Sequence, residues 1–175
     1  MSPKVVLVGL PGTGKSSTGR RLAKILAVPF ADSDDLVEAA SGRTVREFFA
    51  GSGELAFRAA ESAAVIAALG EFPGVLALGG GALGREETRA ALARTDTAVV
   101  LLRARLDTLA ARVGDGTTRP LLTDDPPGRL AALAAERGPL YDEVATFAVD
   151  TDGRTPGHVA ATIAARVHER EVGDG

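Results

Sequence analysis

Eight residues near the start of the chain, "GLPGTGKS" (9–16), set Gly9, Gly14, Lys15 and Ser16 in the pattern G-x-x-x-x-G-K-[ST]. The chemistry served by that spacing is the holding of a polyphosphate. Glycines let successive backbone N–H groups point inward at phosphate oxygens, and a helix beginning at Lys15 adds its positive end. A lysine at this place reaches the β- and γ-phosphates, and the hydroxyl after it ligates Mg²⁺. Gly12, Thr13, Gly14, Lys15, Ser16 and Ser17 are therefore the candidate residues for ATP. A strand-like run precedes the motif and an amphipathic pattern follows it, which is the context it requires. The loop speaks for a nucleotide and a metal, and is silent on the acceptor.

Acceptor chemistry has to come from elsewhere. "DSD" (32–34) spaces Asp32 and Asp34 two apart, which turns both carboxylates to one side of an extended backbone. They follow the short strand "VPFA" (28–31), at the edge where open α/β sheets bind ligands. Asp32 can serve the metal shell, directly or through water, and Asp34 can accept a hydroxyl proton from a second substrate. Asp34 equally fits a helix N-cap ahead of "DLVEAA". In "GELAFRAAE" (53–61), Phe57 and Arg58 lie on a helical pattern whose apolar face includes Leu55, Val65, Ile66 and Leu69. Arg58 can meet a substrate anion, or pair with Glu54 or Glu61 at helical spacing. Arg137, in "AAERGPLYDE", stands just before a Gly-Pro pair expected to break its helix. Arg119 is the one arginine of the Gly/Pro/Asp/Thr-rich stretch 113–128. Loops of that length tend to be lids, and a lid over phosphates needs a cation. Finally, "VLALGGGALG" runs a buried strand into Gly79, Gly80 and Gly81. Three glycines in a row are conformationally expensive, so something must approach the backbone too closely for side chains.

The elements that must position these groups alternate along the chain. Strands are expected at 4–9, 28–31, 74–78, 97–102 and 147–151, as apolar runs without a two-residue alternation. Helical patterns cover 15–27, "DLVEAAS", "TVREFFA", about 53–69 and "REETRAALAR", and a last helix has Thr155 as N-cap and Pro156 at its first position. Continuous apolar strands alternating with helices imply a parallel sheet covered on both faces.

The 175 residues fit one domain, and 45% apolar with 25% charged residues is a globular balance. No cysteine is present, which excludes disulfides, thiolate catalysis and cysteine metal sites. His158 and His168 are expected on a solvated helix face. A net charge of −3 without a basic run argues against nucleic acid and membrane partners, but not against a small anion met by local arginines. The apolar runs are too short to span a bilayer and the N-terminus lacks a signal-peptide pattern, so a cytoplasmic protein is expected. The tail from about residue 170 is expected to fray.

Taken in order, "GLPGTGKSS", "DSD", "FRAAE", "GGGA", "TRPLL", "RGPLY" and "VDT" resemble the bacterial shikimate kinases, in the nucleoside-monophosphate-kinase-like group of P-loop proteins, from about Lys4 to Val167. Their joint occurrence carries the resemblance; Ser17 stands where the family commonly has threonine. It implies a three-layer α/β/α fold with five parallel strands ordered 2-3-1-4-5, a substrate-binding segment near 33–61 and a lid near 113–125. It also implies a monomeric kinase using ATP and one Mg²⁺ to phosphorylate the 3-hydroxyl of shikimate. Shikimate would be held by Asp34, Arg58, Arg137 and the Gly79–Gly81 backbone, with Phe57 beside them. Lys15, Asp34 and Arg119 would be catalytic, Ser16 and Asp32 would hold the metal, and Arg112, Arg154 and Pro156 would line the adenine pocket. Three other readings share parts of this pattern; one, a nucleoside-monophosphate kinase, would need a second nucleotide-base pocket, and none is apparent. A gluconate kinase would share the phosphate loop without needing a carboxylate clamp beside a triple glycine. A GTP-binding switch would use "DPPG" (125–128) as its D-x-x-G, but no N-K-x-D motif follows.

Overall fold

The structure, a computed structural model, describes residues 1–114 and 125–173. In chain order the elements are β1 (Val5–Val8), α1 (Lys15–Leu26), β2 (Phe30–Asp32), α2 (Ser33–Ser41), α3 (Val45–Glu71), β3 (Val75–Ala77), a single 3₁₀ turn (Ala82–Gly84), α4 (Glu86–Ala93), β4 (Ala98–Arg103), α5 (Leu106–Gly114), α6 (Pro126–Val144), β5 (Phe147–Asp150) and α7 (Pro156–Gly173). The strands form one parallel sheet in the order β2-β3-β1-β4-β5, as the resemblance implied. β1 sits in the middle, so the phosphate loop after it opens at the sheet's C-terminal edge between β3 and β4. That is the place where a parallel sheet leaves a crevice.

Side chains alternate along each strand and bury to both faces. Val5 and Leu7 pack with Leu22 of α1 and Ile163 of α7 on one side. Val6 and Val8 pack with Val65 of α3 and Tyr141 of α6 on the other. A separate cluster of Val37, Phe48 and Phe57 joins α2 to α3 away from the sheet. Segment 33–61, whose role as a substrate-binding unit is a proposal, thus has an apolar centre of its own.

α3 is interrupted at Gly53, with φ +79° and ψ 172°, so "TVREFFA" and the helix from about Gly53 are distinct pieces, as expected. Several other local expectations change. Leu55 and Ile66 do not join the inward face and are 84% and 41% exposed. The buried stripe is Phe57, Glu61, Ser62, Val65 and Ala68, in which the two polar residues disguise the period. α6 does not break at Gly138-Pro139 but runs through it. Proline removes one helical hydrogen bond, but Leu130 anchors the helix before it and Tyr141 and Val144 after it. "DPPG" is no switch loop, because the Asp125 carboxylate accepts from the Gly128 N–H and caps α6. α7 continues to Gly173 rather than fraying from 170, with Glu171 3.5 Å from the Lys4 ammonium. The Thr155 hydroxyl accepts from the His158 N–H as the expected cap, and both histidines are exposed.

Candidate active site

The phosphate loop gets its shape from glycines that no other residue replaces cheaply. Gly9, Gly12 and Gly14 have φ of +151°, +86° and +84°, where an L side chain is strained. Gly14 opens α1 with no side-chain cap and no acidic residue in the first turn. By contrast, α2 is capped by Asp32 and α3 by a Thr44–Glu47 capping box. The first N–H groups of α1 therefore keep no carboxylate of their own and are disposed for an anion. The Lys15 ammonium lies across the loop, donating to Gly9 O at 2.7 Å and Leu10 O at 3.1 Å. Thr13 is buried and turns its hydroxyl onto Leu10 O at 2.8 Å, closing the loop's own turn. Ser17 is exposed on the outer side of α1.

Asp32 and Asp34 are together, but not by the expected extended geometry. The strand ends at Asp32, and α2 starts one residue later. Asp32, not Asp34, is the N-cap: its Oδ1 accepts from the Asp34 N–H at 3.1 Å, while its Oδ2 accepts from the Ser16 hydroxyl at 3.0 Å. One carboxylate thus ties the nucleotide loop to the helix that carries Asp34.

The Gly79–Gly81 loop explains its own composition. A Cβ on Gly79 would lie 2.7 Å from Glu61 Oε1 and 3.4 Å from Asp34 Oδ1. One on Gly80 would lie 2.8 Å from an Arg137 guanidinium nitrogen, and one on Gly81 would strike the Arg58 guanidinium. Asp34, Arg58 and Arg137, separated by over a hundred residues, thus converge on three bare peptides. Pro11 of the phosphate loop stands 3.5 Å from the same Gly80 position, so the two glycine loops adjoin.

Arg58 pairs with Glu61 at 2.7 Å and approaches Glu54 at 3.9 Å, so both helical pairings open to it are used. Burial pushes the Asp34 carboxyl up to about 6, helped by the negative charges of Asp32 and Glu61 and opposed by Arg58. A carboxyl poised there changes protonation near neutrality, as proton-accepting groups do. Phe57 is 2% exposed and packs edge-on to Phe48, with ring centres 5.8 Å apart, and against Phe49 at 4.6 Å. The Arg58 guanidinium lies 5.3 Å from its ring centre.

On the nucleotide side, Arg112 donates to Gly12 O at 3.0 Å and approaches the Thr151 hydroxyl at 3.5 Å. Arg154 is exposed, and its N–H donates to Thr151 O, while Pro156 begins α7. The three therefore gather around the end of β5. Arg119 lies outside the described residues. Sequence reasoning gave no task to Ser33 or Tyr141, and saw Glu61 only as a surface partner. Glu61 is 1% exposed. Its one sequence signal is its place four residues after Phe57 and four before Val65, a carboxylate in the middle of an apolar stripe.

Comparison with known proteins converges on one family. The shikimate kinase family model matches residues 11–168. A shikimate kinase of Salinispora tropica is 48% identical over 165 residues, covering 94% of this chain and 98% of that protein. The solved shikimate kinase of Acinetobacter baumannii, in complex with shikimate, superposes with a TM-score of 0.89 at 32% identity, covering 97% and 94% of the two chains. A gluconokinase from Sinorhizobium meliloti reaches 0.61 at 21% identity, over 96% and 93%. That likeness is one of fold alone.

Proposed function

The chain belongs to the shikimate kinase family, and from that membership we propose how its residues divide the transfer of the ATP γ-phosphate to the 3-hydroxyl of shikimate. The observation that carries the assignment is the convergence of Asp34, Arg58 and Arg137 on Gly79–Gly81. Shikimate is a rigid ring bearing a carboxylate and hydroxyls, and this corner offers two guanidinium forks, one carboxylate and bare peptide. The forks suit bidentate pairing with the substrate carboxylate. The glycines let the ring lie against the backbone, with the Gly80 N–H available to a ring hydroxyl.

Asp34 then stands to orient the 3-hydroxyl and take its proton as that oxygen forms its bond to the γ-phosphorus and the bond to ADP breaks. Phosphoryl transfer asks a protein mainly for positioning and charge neutralisation. Lys15, the α1 N-terminus and Arg119 supply the positive charge, and Arg112, Arg154 and Pro156 border the adenine. Ser16 Oγ and Asp32 Oδ2, 3.0 Å apart, are hard oxygen donors that suit Mg²⁺. Among the described residues no three acidic or histidine side chains gather into a metal cage, so the remaining ligands would be phosphate and water. One magnesium ion per chain would supply further neutralisation of phosphate charge. Segment 33–61 serves as the acceptor-binding unit and 113–125 as the lid. We read the protein as a cytoplasmic monomer acting on small molecules rather than nucleic acid or membrane. Among the described residues no helix is long and apolar enough to cross a membrane.

The test is ADP release with ATP and Mg²⁺ against shikimate, gluconate, AMP and CMP. Release that depends on shikimate alone is the expected result, and its absence would refute the assignment.

A further inference from the structure

Two buried hydroxyls flank the Gly79–Gly81 loop, from opposite directions. Ser33, at the start of α2, is 0% exposed, and Tyr141, late in α6, is 4% exposed. The sheet's ladder reaches Leu78, whose N–H donates to Leu7 O at 2.9 Å. Beyond that point the loop must find other partners. The Gly79 N–H donates to Ser33 Oγ at 2.8 Å, and the Tyr141 hydroxyl donates to Gly80 O at 3.2 Å. Ser33 in turn donates to Glu61 Oε1 at 3.2 Å, and the other oxygen of Glu61 holds Arg58. One continuous path thus runs from the glycine backbone through Ser33 and Glu61 to the arginine. Burial pushes the Tyr141 hydroxyl up, opposed by the charge of Arg137 one helical turn earlier.

None of the three glycines has the positive φ that would pin its conformation. Glycine visits more backbone states than any other residue, so three in succession need more than the turn bonds from the Ala82 and Gly84 N–H groups to Gly79 O and Gly81 O to hold one geometry. We infer that Ser33 and Tyr141 are positioning residues for shikimate, holding the Gly79–Gly81 peptides, and through Glu61 the Arg58 guanidinium, in the arrangement the substrate meets. The inference rests on the assignment of this loop to the shikimate side. Neither hydroxyl touches the substrate in this account; each acts through the group it bonds.

The test compares Ser33→Ala, Tyr141→Phe and the double variant with the wild-type chain. Each change deletes one oxygen and keeps the packed volume. KM for shikimate is expected to rise about tenfold in each single variant, the factor carried by one lost hydrogen bond of ordinary strength. KM for ATP should stay within about twofold, because the phosphate loop has its own supports. The two hydroxyls act on adjacent peptides, so the double variant should fall short of the product of the single effects. Shikimate KM unchanged in both single variants would overturn the inference. So would KM for both substrates rising together with a lowered thermal midpoint, the mark of a merely structural role. If Ser33→Ala does not fold, Tyr141→Phe decides alone, and Ser33→Thr, which keeps the hydroxyl, should preserve the wild-type KM. A wild-type chain without shikimate-dependent ADP release would overturn the acceptor assignment and this inference with it.

Discussion

In the loop Gly9–Gly14, three glycines hold φ of +151°, +86° and +84°, whereas no glycine of Gly79–Gly81 has a positive φ. Gly14 has nothing closer than Thr18 Oγ1, 3.8 Å from where its Cβ would stand, although Gly9 would put a Cβ 2.6 Å from Leu102 O; Gly80 and Gly79 would put one 2.8 Å and 2.7 Å from charged groups. Glycine answers two different demands here. The phosphate loop needs the conformation at all three glycines, because only a path through the left-handed region turns successive N–H groups inward, and it needs space as well at Gly9. The acceptor loop needs the space, because Glu61, Arg137 and Arg58 stand where side chains would be. A loop that binds through its own peptides is built by torsion angles. A loop that serves as a floor under side chains is built by what is missing.

The largest expected effect tests the space demand at its most crowded point. Arg58→Ala removes the proposed substrate contact and leaves Glu61 buried without its cation, so shikimate KM should rise about a hundredfold and stability should fall. Gly81→Ala should mimic this, because its methyl group displaces the same guanidinium. If steric exclusion is the whole reason for the glycine, Gly81→Ala added to Arg58→Ala should have almost no further effect on shikimate KM. A full multiplicative loss in the double variant would mean that Gly81 matters for its backbone after all.

The conformational demand gives a smaller effect on the other substrate. Gly12→Ala places a side chain at φ +86° and 3.0 Å from a Val113 methyl. The left-handed strain alone is about 1–2 kcal/mol, which should weaken ATP binding about tenfold and leave shikimate binding intact. Asparagine separates the two demands further. It tolerates the left-handed region better than alanine, so at Gly14, where a Cβ meets nothing closer than 3.8 Å, Gly14→Asn should do less harm than Gly14→Ala in a nucleotide titration. At Gly80 the order should reverse, since the larger side chain drives deeper against Arg137 and Pro11. The same order at both positions would erase the distinction.

How far the sequence could show this differs between the two loops for the same reason. A torsional demand is local, so "GLPGTGKS" was legible from eight letters, and the strand before it and helix after it are where the pattern requires. A demand for space is non-local. Nothing near Gly80 in the chain reveals that Arg137 will lie against it, and only resemblance to a family brought Asp34, Arg58 and Arg137 to one cleft. Resemblance also supplied the strand order, which periodicity cannot. Errors cluster where tertiary packing overrode a local rule. Pro139 is carried inside a helix because both flanks are anchored, and Leu55 is left outside because the buried stripe passes through Glu61. Phe57, one place before Arg58, faces a different way on the helix and belongs to the small core with Val37 and Phe48.

The smallest expected effect joins the two loops through Asp34. Its carboxyl is raised from 3.8 to about 6, first by burial and then by Asp32, the carboxylate that also reaches the phosphate loop. If Asp34 must be ionised to accept the hydroxyl proton, kcat/KM for shikimate should climb with pH and level off above about 6. The sign for stability is opposite. The folded state holds this proton more tightly than the unfolded chain, so the contribution is fully present below about 3.8 and is lost as pH rises through about 6. At pH 7 the ionised group therefore opposes folding. Asp34→Asn should then melt slightly higher than wild type at pH 7, with the gap closing toward pH 4, while its activity is low at every pH. A variant that melts lower at pH 7 would show that Asp34 is held by attraction to Arg58 more than it is opposed by burial. The acceptor side would then be assembled around that ion pair, and the bare glycine backbone would be its consequence.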